Sequence, residues 1–339
     1  AAVGNAGAGV LVQRNATGNF IGTDGDGSGD AAEGNLISGN GNGVYLSGLG
    51  GPEVPTNNVV AGNIIGLDAA GTVALGNNLG VRIDGGSLNT RLGTNADSVA
   101  DAAERNVISG NATAGVWVHG LSTDGTLIQG NYIGTDAAGA AAVPNGSGEL
   151  FAGVYAGGFD GPNASAITSL TVRDNVISGN NGDGLGVWDG VDGAVIQGNY
   201  LGMGADGVTP LGNNGGGSGG GLSVRNFSSN LVIGGTGVGD GNLIANNAPD
   251  GVVIYSGSGN VLQGNLIADN ARYGVALLGA PSLQTVGGAA AGARNVISGN
   301  GADGVIISGA AATGNVVQGN YIGLAADGVT ADPNQNGVY

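Results

Sequence analysis

The chain has 339 residues and a formal net charge of −17; its eight basic residues are all arginine, and it has no cysteine. A chain this acidic repels nucleic acid and anionic membranes, and without thiols it forms neither disulfides nor thiolate metal sites. Its 76 glycines reach the level of low-complexity chains, but there is no collagen-like period, and Val, Ile and Leu recur in short clusters that can bury surface. No apolar run approaches the length of a membrane span, so membrane insertion is not expected.

From the N-terminus, a Gly-Val-x-apolar phrase begins at Gly9, Gly43, Gly80, Gly115, Gly153, Gly186, Gly251, Gly274 and Gly304, with a variant at Gly221 and a last start at Gly337. Two more apolar clusters lie between successive phrases. The pattern is barest after Gly251, where GVVIYS, GNVLQG and NLIADN precede the phrase at Gly274. Three strand-sized clusters per repeat, divided by Gly, Asn and Ser turns, predict a coil of parallel β-helix. Each strand then pairs with its counterparts one rung above and below, about 4.8 Å away. Helices are not supported, because Gly interrupts every apolar 3.6-residue period. The expected fold is all-β: one right-handed parallel β-helix solenoid spanning residues 1–339, with about ten three-strand rungs.

One cluster per rung opens with asparagine: Asn35, Asn63, Asn106, Asn131, Asn175, Asn199, Asn242, Asn265, Asn295 and Asn320. Two residues later comes Ile or Leu in every case. Side chains alternate across a strand, so where the Ile points inward the Asn does too. An isolated buried amide is costly, whereas stacked amides satisfy one another from rung to rung. An internal Asn ladder is therefore expected. It explains why RNVISGN occurs at both 105–111 and 294–300: each rung needs an Asn corner, a strand and a Gly-Asn turn. Rungs also alternate in where they carry a long loop. NYIGTDAAGAAAVPN (131–145) has it after the Asn strand, LGTNADSVADAAER (92–105) before it, and 156–170 is irregular.

The loop TDGDGSGDAAE (23–33) spaces Asp24, Asp26, Ser28 and Asp30 two residues apart, with Glu33 following. Hard oxygen donors on a Gly-rich backbone are what calcium requires, so Asp24, Asp26, Asp30 and Glu33 are candidate ligands of a structural calcium. Asn95, Asp97 and Asp101 are their counterparts in the next such loop. Along the outward positions of the Gly-Val strands, Trp117, Tyr155 and Trp188 are expected to form a ridge that could stack on a polysaccharide or a partner protein. The outward residues beside the Asn ladder (Leu36, Ile64, Val107, Tyr132, Val176, Tyr200) suggest lateral packing or loop cover.

Catalytic residues are scarce. There is no lysine, a single histidine (His119), and only four glutamates. Arg173-Asp174 and Trp188-Asp189 read as surface pairs, and no nucleophile elbow, HExxH or phosphate loop stands out. The balance leans against an enzyme.

Phrases such as TVGGAAAGARNVISGN (285–300) and GNVVQGNYIGLAADGVT (314–330) resemble the right-handed parallel β-helix repeat family of the pectate-lyase-like superfamily. The likeness is greatest to long repetitive bacterial surface and secreted proteins, and it covers essentially the whole chain. It implies an extracellular or cell-surface protein, and the superfamily holds lyases, hydrolases and epimerases as well as adhesins and stalks. Two functions follow as expectations. One is a structural rod, a segment of a surface protein or a filament subunit. The other is a carbohydrate-active or carbohydrate-binding β-helix using the Trp117–Trp188 face. The ends, AAVGNAGAGVLV and ADPNQNGVY, carry no recognisable cap and share one phase of the repeat, so head-to-tail self-association is expected of the rod.

Overall fold

The computed structural model describes residues 4–48, 52–146, 153–157, 167–214 and 219–338. Most of the irregular stretch at 156–170 (residues 158–166), along with Glu149 and the extreme ends of the chain, lies outside them. Among the described residues three parallel sheets run side by side, with 11, 10 and 10 strands. Each sheet takes every third strand of the chain in order, as the strand Ala8–Gln13 pairs with Asn42–Ser47 and Phe20–Gly22 with Val59–Ala61. This is a parallel β-helix, right-handed as parallel crossovers are. Sheet 1 holds the Gly-Val strands, sheet 2 the second cluster and sheet 3 the Asn strands; rungs are numbered 1 to 10 from the N-terminus.

Alternation fills the interior. Val44, Val81, Val116 and Val252 from sheet 1, Val60, Ile128 and Ile233 from sheet 2, and Ile65, Ile108 and Ile267 from sheet 3 are all fully buried in one continuous core. The glycine of the Gly-Val phrase is a packing requirement. A Cβ on Gly115 would lie 2.8 Å from Ile133 Cγ2 and 2.9 Å from both Asn145 Nδ2 and the Gly153 carbonyl oxygen. The core side chains of the adjoining corner occupy that space, so only hydrogen fits.

An asparagine ladder runs through all ten of these positions. Each backbone N–H and each Nδ2 donates to Oδ1 of the Asn one rung on, at 2.9–3.3 Å, from Asn35 through to Asn320. The second Nδ2 hydrogen goes to a backbone carbonyl, as from Asn63 to Ile21 at 2.7 Å and from Asn175 to Ile128 at 2.9 Å. Both donors and both lone pairs of an interior amide are thereby used.

The Gly-Asn "turn" residues do more than turn. Asn5, Asn40, Asn77, Asn111, Asn145, Asn180, Asn213, Asn247, Asn270, Asn300 and Asn334 form a second ladder with the same bonding, at 2.8–3.4 Å. The third corner is mixed. By register it stacks Asn19, Asn58, Thr90, Thr126, Leu170, Ala194, Leu231, Asn260, Gln284 and Asn315. Amide bonding there is confined to the outer rungs, as between Asn19 and Asn58 at 2.8 Å.

The two kinds of rung also appear. After the Asn strand, rungs 2, 4, 6 and 10 carry hairpins closed by Leu67 with Ala74, Thr135 with Ala142, Met203 with Pro210 and Leu324 with Ala331. Successive hairpins bond, as Ala137 N–H donates to Gly71 O and Ala205 N–H to Gly139 O, each at 2.9 Å. Rung 8 breaks the alternation, because Leu266–Ala268 runs straight into Asp269 and Asn270. In all four the turn is held by a carboxylate: Asp68 and Asp136 each accept two backbone N–H groups, at 2.8–3.2 Å. The Thr209 hydroxyl and the Thr209 and Val208 N–H groups lower Asp206 to about 2, and Thr330 and Val329 do the same for Asp327. The hairpins give loop cover to part of the outward sheet-3 column, whereas Leu36 remains 51% exposed.

Candidate functional site

The outward face of sheet 1 gathers the expected aromatic residues, with one correction. Trp117 lies beside Tyr155, but Tyr155 lies beside Gly186, and Trp188 is registered against Gly157. The strand Leu185–Trp188 is entered two residues earlier than the Gly186-Val187 phrase implies: Leu185 and Val187 take the inward places of Val154 and Ala156. A two-residue slip keeps every side chain on its own face, so alternation alone could not detect it.

The rings meet all the same. Trp117 and Tyr155 stand edge to face at 5.0 Å, and Tyr155 and Trp188 at 5.5 Å. The row continues through Arg225, whose guanidinium lies 4.6 Å from the Trp188 ring centre and 4.7 Å from that of Tyr255. Five side chains on consecutive rungs thus form one line of aromatic and cation–π contacts. Their surfaces are largely spent on each other: Tyr155 is 4% exposed and Trp188 6%, while Trp117 stays half-buried. A sugar ring could reach Trp117 and not the inner pair.

The polar groups of this face are spent in the same way. The Tyr155 hydroxyl and Asn226 Nδ2 each donate to Asp189 at 2.6 Å. Trp188 Nε1 donates to Ser223 Oγ at 2.9 Å, Ser223 donates to Asp183, and the Gly220 N–H completes that carboxylate at 3.0 Å. Burial pushes the Asp183 carboxyl above its ordinary range, against the opposing pull of the Ser223 bond and the Arg225 charge. Asp250 is fully buried and takes two bonds from Arg272, at 2.8 and 2.6 Å. Asp183, Asp189 and Asp250 therefore each hold a neighbouring strand or side chain, which is a structural use of a carboxylate. His119 ends the strand Ala114–His119 half-buried, its ring 5.9 Å from that of Trp117. Arg173 and Asp174 form the exposed pair expected of them, at 2.9 Å.

The acidic loop closes on itself. Carboxylate oxygens of Asp24, Asp26 and Asp30 all lie within 4.8 Å of one another, while Glu33, the fourth expected ligand, stands outside the group. Asp30 is buried and accepts from Thr23 Oγ1 at 2.6 Å. The Asp26 and Ser28 N–H groups donate to Asp24 and Asp26, at 3.2 and 2.7 Å. In the counterpart loop Asn95 replaces Asp24 and donates to Asp97 at 2.9 Å, so that loop lacks the third carboxylate. The sequence reading missed its main feature: Glu104, fully buried, is paired with Arg91 at 2.7 Å and also accepts the Asn95 N–H at 3.0 Å.

Among the described residues no helix is long and apolar enough to cross a membrane. The family model described as "Periplasmic copper-binding protein (NosD)" matches residues 173–339, just under half of the chain. No curated protein matches the sequence. Solved structures similar to this chain include the periplasmic alginate epimerase AlgG, at 14% identity and a TM-score of 0.39, over 84% of this chain and 57% of that one. A substituted form of AlgG is similar at 12% identity and a TM-score of 0.46, over 93% of this chain and 67% of that one. The chain thus spans little more than half the length of the first of these, and likeness at this level says nothing about activity. Copper favours imidazole, thiolate and thioether donors; this chain has one His, one Met and no Cys, a donor set that does not fit. Three unbroken parallel ladders and two internal asparagine columns identify the chain as a parallel β-helix protein of the repeat type, similar to the NosD family over residues 173–339.

Proposed function

We propose that this protein is a rigid β-helical rod serving a structural role in the periplasm or outside the cell. The observation that supports the reading is the pair of buried asparagine ladders, which tie every rung to the next from Asn5 to Asn334. Rungs bonded through both the strand ladder and two corner columns resist bending and local opening. The described carboxylates Asp183, Asp189 and Asp250 of the sheet-1 face reinforce that bonding. The compartment rests on the description of the family similar to residues 173–339. The ladders are also polar, since each amide donates toward the C-terminal rungs. Head-to-tail association of copies is proposed with the rod.

Electron microscopy tests the rod: straight particles about 50 Å long at the strand spacing, or end-to-end multiples of them, are expected. Compact particles would refute it. The second reading, a carbohydrate contact, is favoured by the half-buried Trp117 at the end of the aromatic row. Saturable quenching of tryptophan emission by pectin or alginate, lost in Trp117→Ala, would move the protein to that class; the rod leaves emission unchanged.

The loop at Asp24, Asp26 and Asp30 is proposed to hold a structural calcium, since three hard oxygen donors are gathered there. Chelation is expected to lower the melting temperature of the wild type and to leave Asp26→Ala unmoved. Equal melting curves with and without chelator dispose of the calcium.

A further inference from the structure

The family description that matches residues 173–339 names copper, yet nothing in that segment is suited to hold it. The single histidine, His119, lies outside the match, and there is no cysteine anywhere. Met203 is the one soft donor inside it; it is 7% exposed, with its sulfur accepting from Asn246 Nδ2 at 2.9 Å. His119 and Met203 cannot complete a site together. His119 ends a sheet-1 strand of rung 4, whereas Met203 opens the hairpin after the sheet-3 strand of rung 6. Nor can the interior amides substitute. Asn199, Asn242, Asn265 and their counterparts have both oxygen lone pairs and both Nδ2 hydrogens committed to neighbouring rungs and strand carbonyls. A metal bound there would cut the ladder.

What recurs through 173–339 is what a coil needs. Asparagine sits at two corners, Ile or Leu two residues after the first, and glycine where the corner side chains leave no room. We infer that the similarity over this segment is one of scaffold and not of metal site, and that this chain is a copper-independent β-helix. The inference concerns donors alone and stands whether or not the protein is a structural rod.

The test uses the full chain, incubated with Cu(II) and separately with Cu(I) under a reductant, then passed through gel filtration. Copper per chain is read by mass spectrometry, and melting is followed in parallel. Far less than one copper per chain, with an unchanged melting temperature, is the expected result. Retention of about one copper per chain with a raised melting temperature, as binding to the native state requires, overturns the inference. His119→Ala and Met203→Leu then show which donor was misjudged. Copper that Asp26→Ala abolishes or excess calcium displaces would belong to the Asp24–Asp26–Asp30 loop, and it too would overturn the copper independence of the chain.

Discussion

Truncating Arg91 to alanine is expected to cost about 3–5 kcal/mol of stability, because it strands a fully buried carboxylate. Glu104 is 0% exposed, and its Oε1 takes its charged bond from Arg91 Nη1 at 2.7 Å. The same Nη1 also donates to the Gly93 carbonyl at 2.7 Å, so the truncation frees a second acceptor. The Arg91 side chain is only 16% exposed, so water screens the pair little. The contrast that isolates the charge is the double variant Arg91→Met, Glu104→Leu, which removes both ions and should cost much less than the single truncation. Denaturant titration of the three proteins checks this. Equal losses in the single and double variants would mean that packing, and not the buried charge, dominates.

Asn175→Ala is expected to destabilise the protein by about 2–4 kcal/mol, at roughly 1–3 kcal/mol for each buried group left unsatisfied. Asn131 loses the acceptor for both its N–H and its Nδ2, at 3.0 Å each. The carbonyls of Ile128 and Arg173, at 2.9 and 2.8 Å, lose their donor. Asn78 is the control. It is exposed and accepts one bond from the Thr113 hydroxyl, so Asn78→Ala should change little. Because each rung touches mainly its neighbours, the loss at Asn175 should appear first as local opening between rungs 4 and 6. Hydrogen exchange at Val176 and Ile177 measures it. Indistinguishable behaviour of the two variants would return the ladder asparagines to the status of ordinary turn residues.

Two of these substitutions differ in how visible their residues were in the sequence. Asn175 was legible, since an amide two residues before Ile or Leu in ten clusters is a periodic signal, and alternation converts it into an inward position. Arg91 and Glu104 were not. They stand 13 residues apart on a strand and at the end of a four-residue helical turn, and nothing repetitive marks them as partners. Asn77 and Asn111 fall between: each stands a few residues before a Gly-Val phrase, but a turn former explains that placement locally. Only the 34 residues between them, closed into one rung, show that their amides stack.

The sequence by itself determined the coil: its three strands per rung, its inward Ile and Val, its first asparagine ladder and its scarcity of catalytic and copper-binding groups. Those follow from composition, from the alternation of side chains along a strand and from phrases that recur once per rung. Tertiary structure decided the rest, because the deciding neighbours lie one full turn of the coil away. It placed Trp188 against Gly157 and buried it beside Tyr155, although strand alternation reads the same after a two-residue slip. It drew Asp24, Asp26 and Asp30 together while leaving Glu33 aside, a matter of how one loop folds back. It also turned the Gly-Asn turns into a second buried column, since an amide's partner in a β-helix sits on the next rung, 23 to 37 residues along the chain.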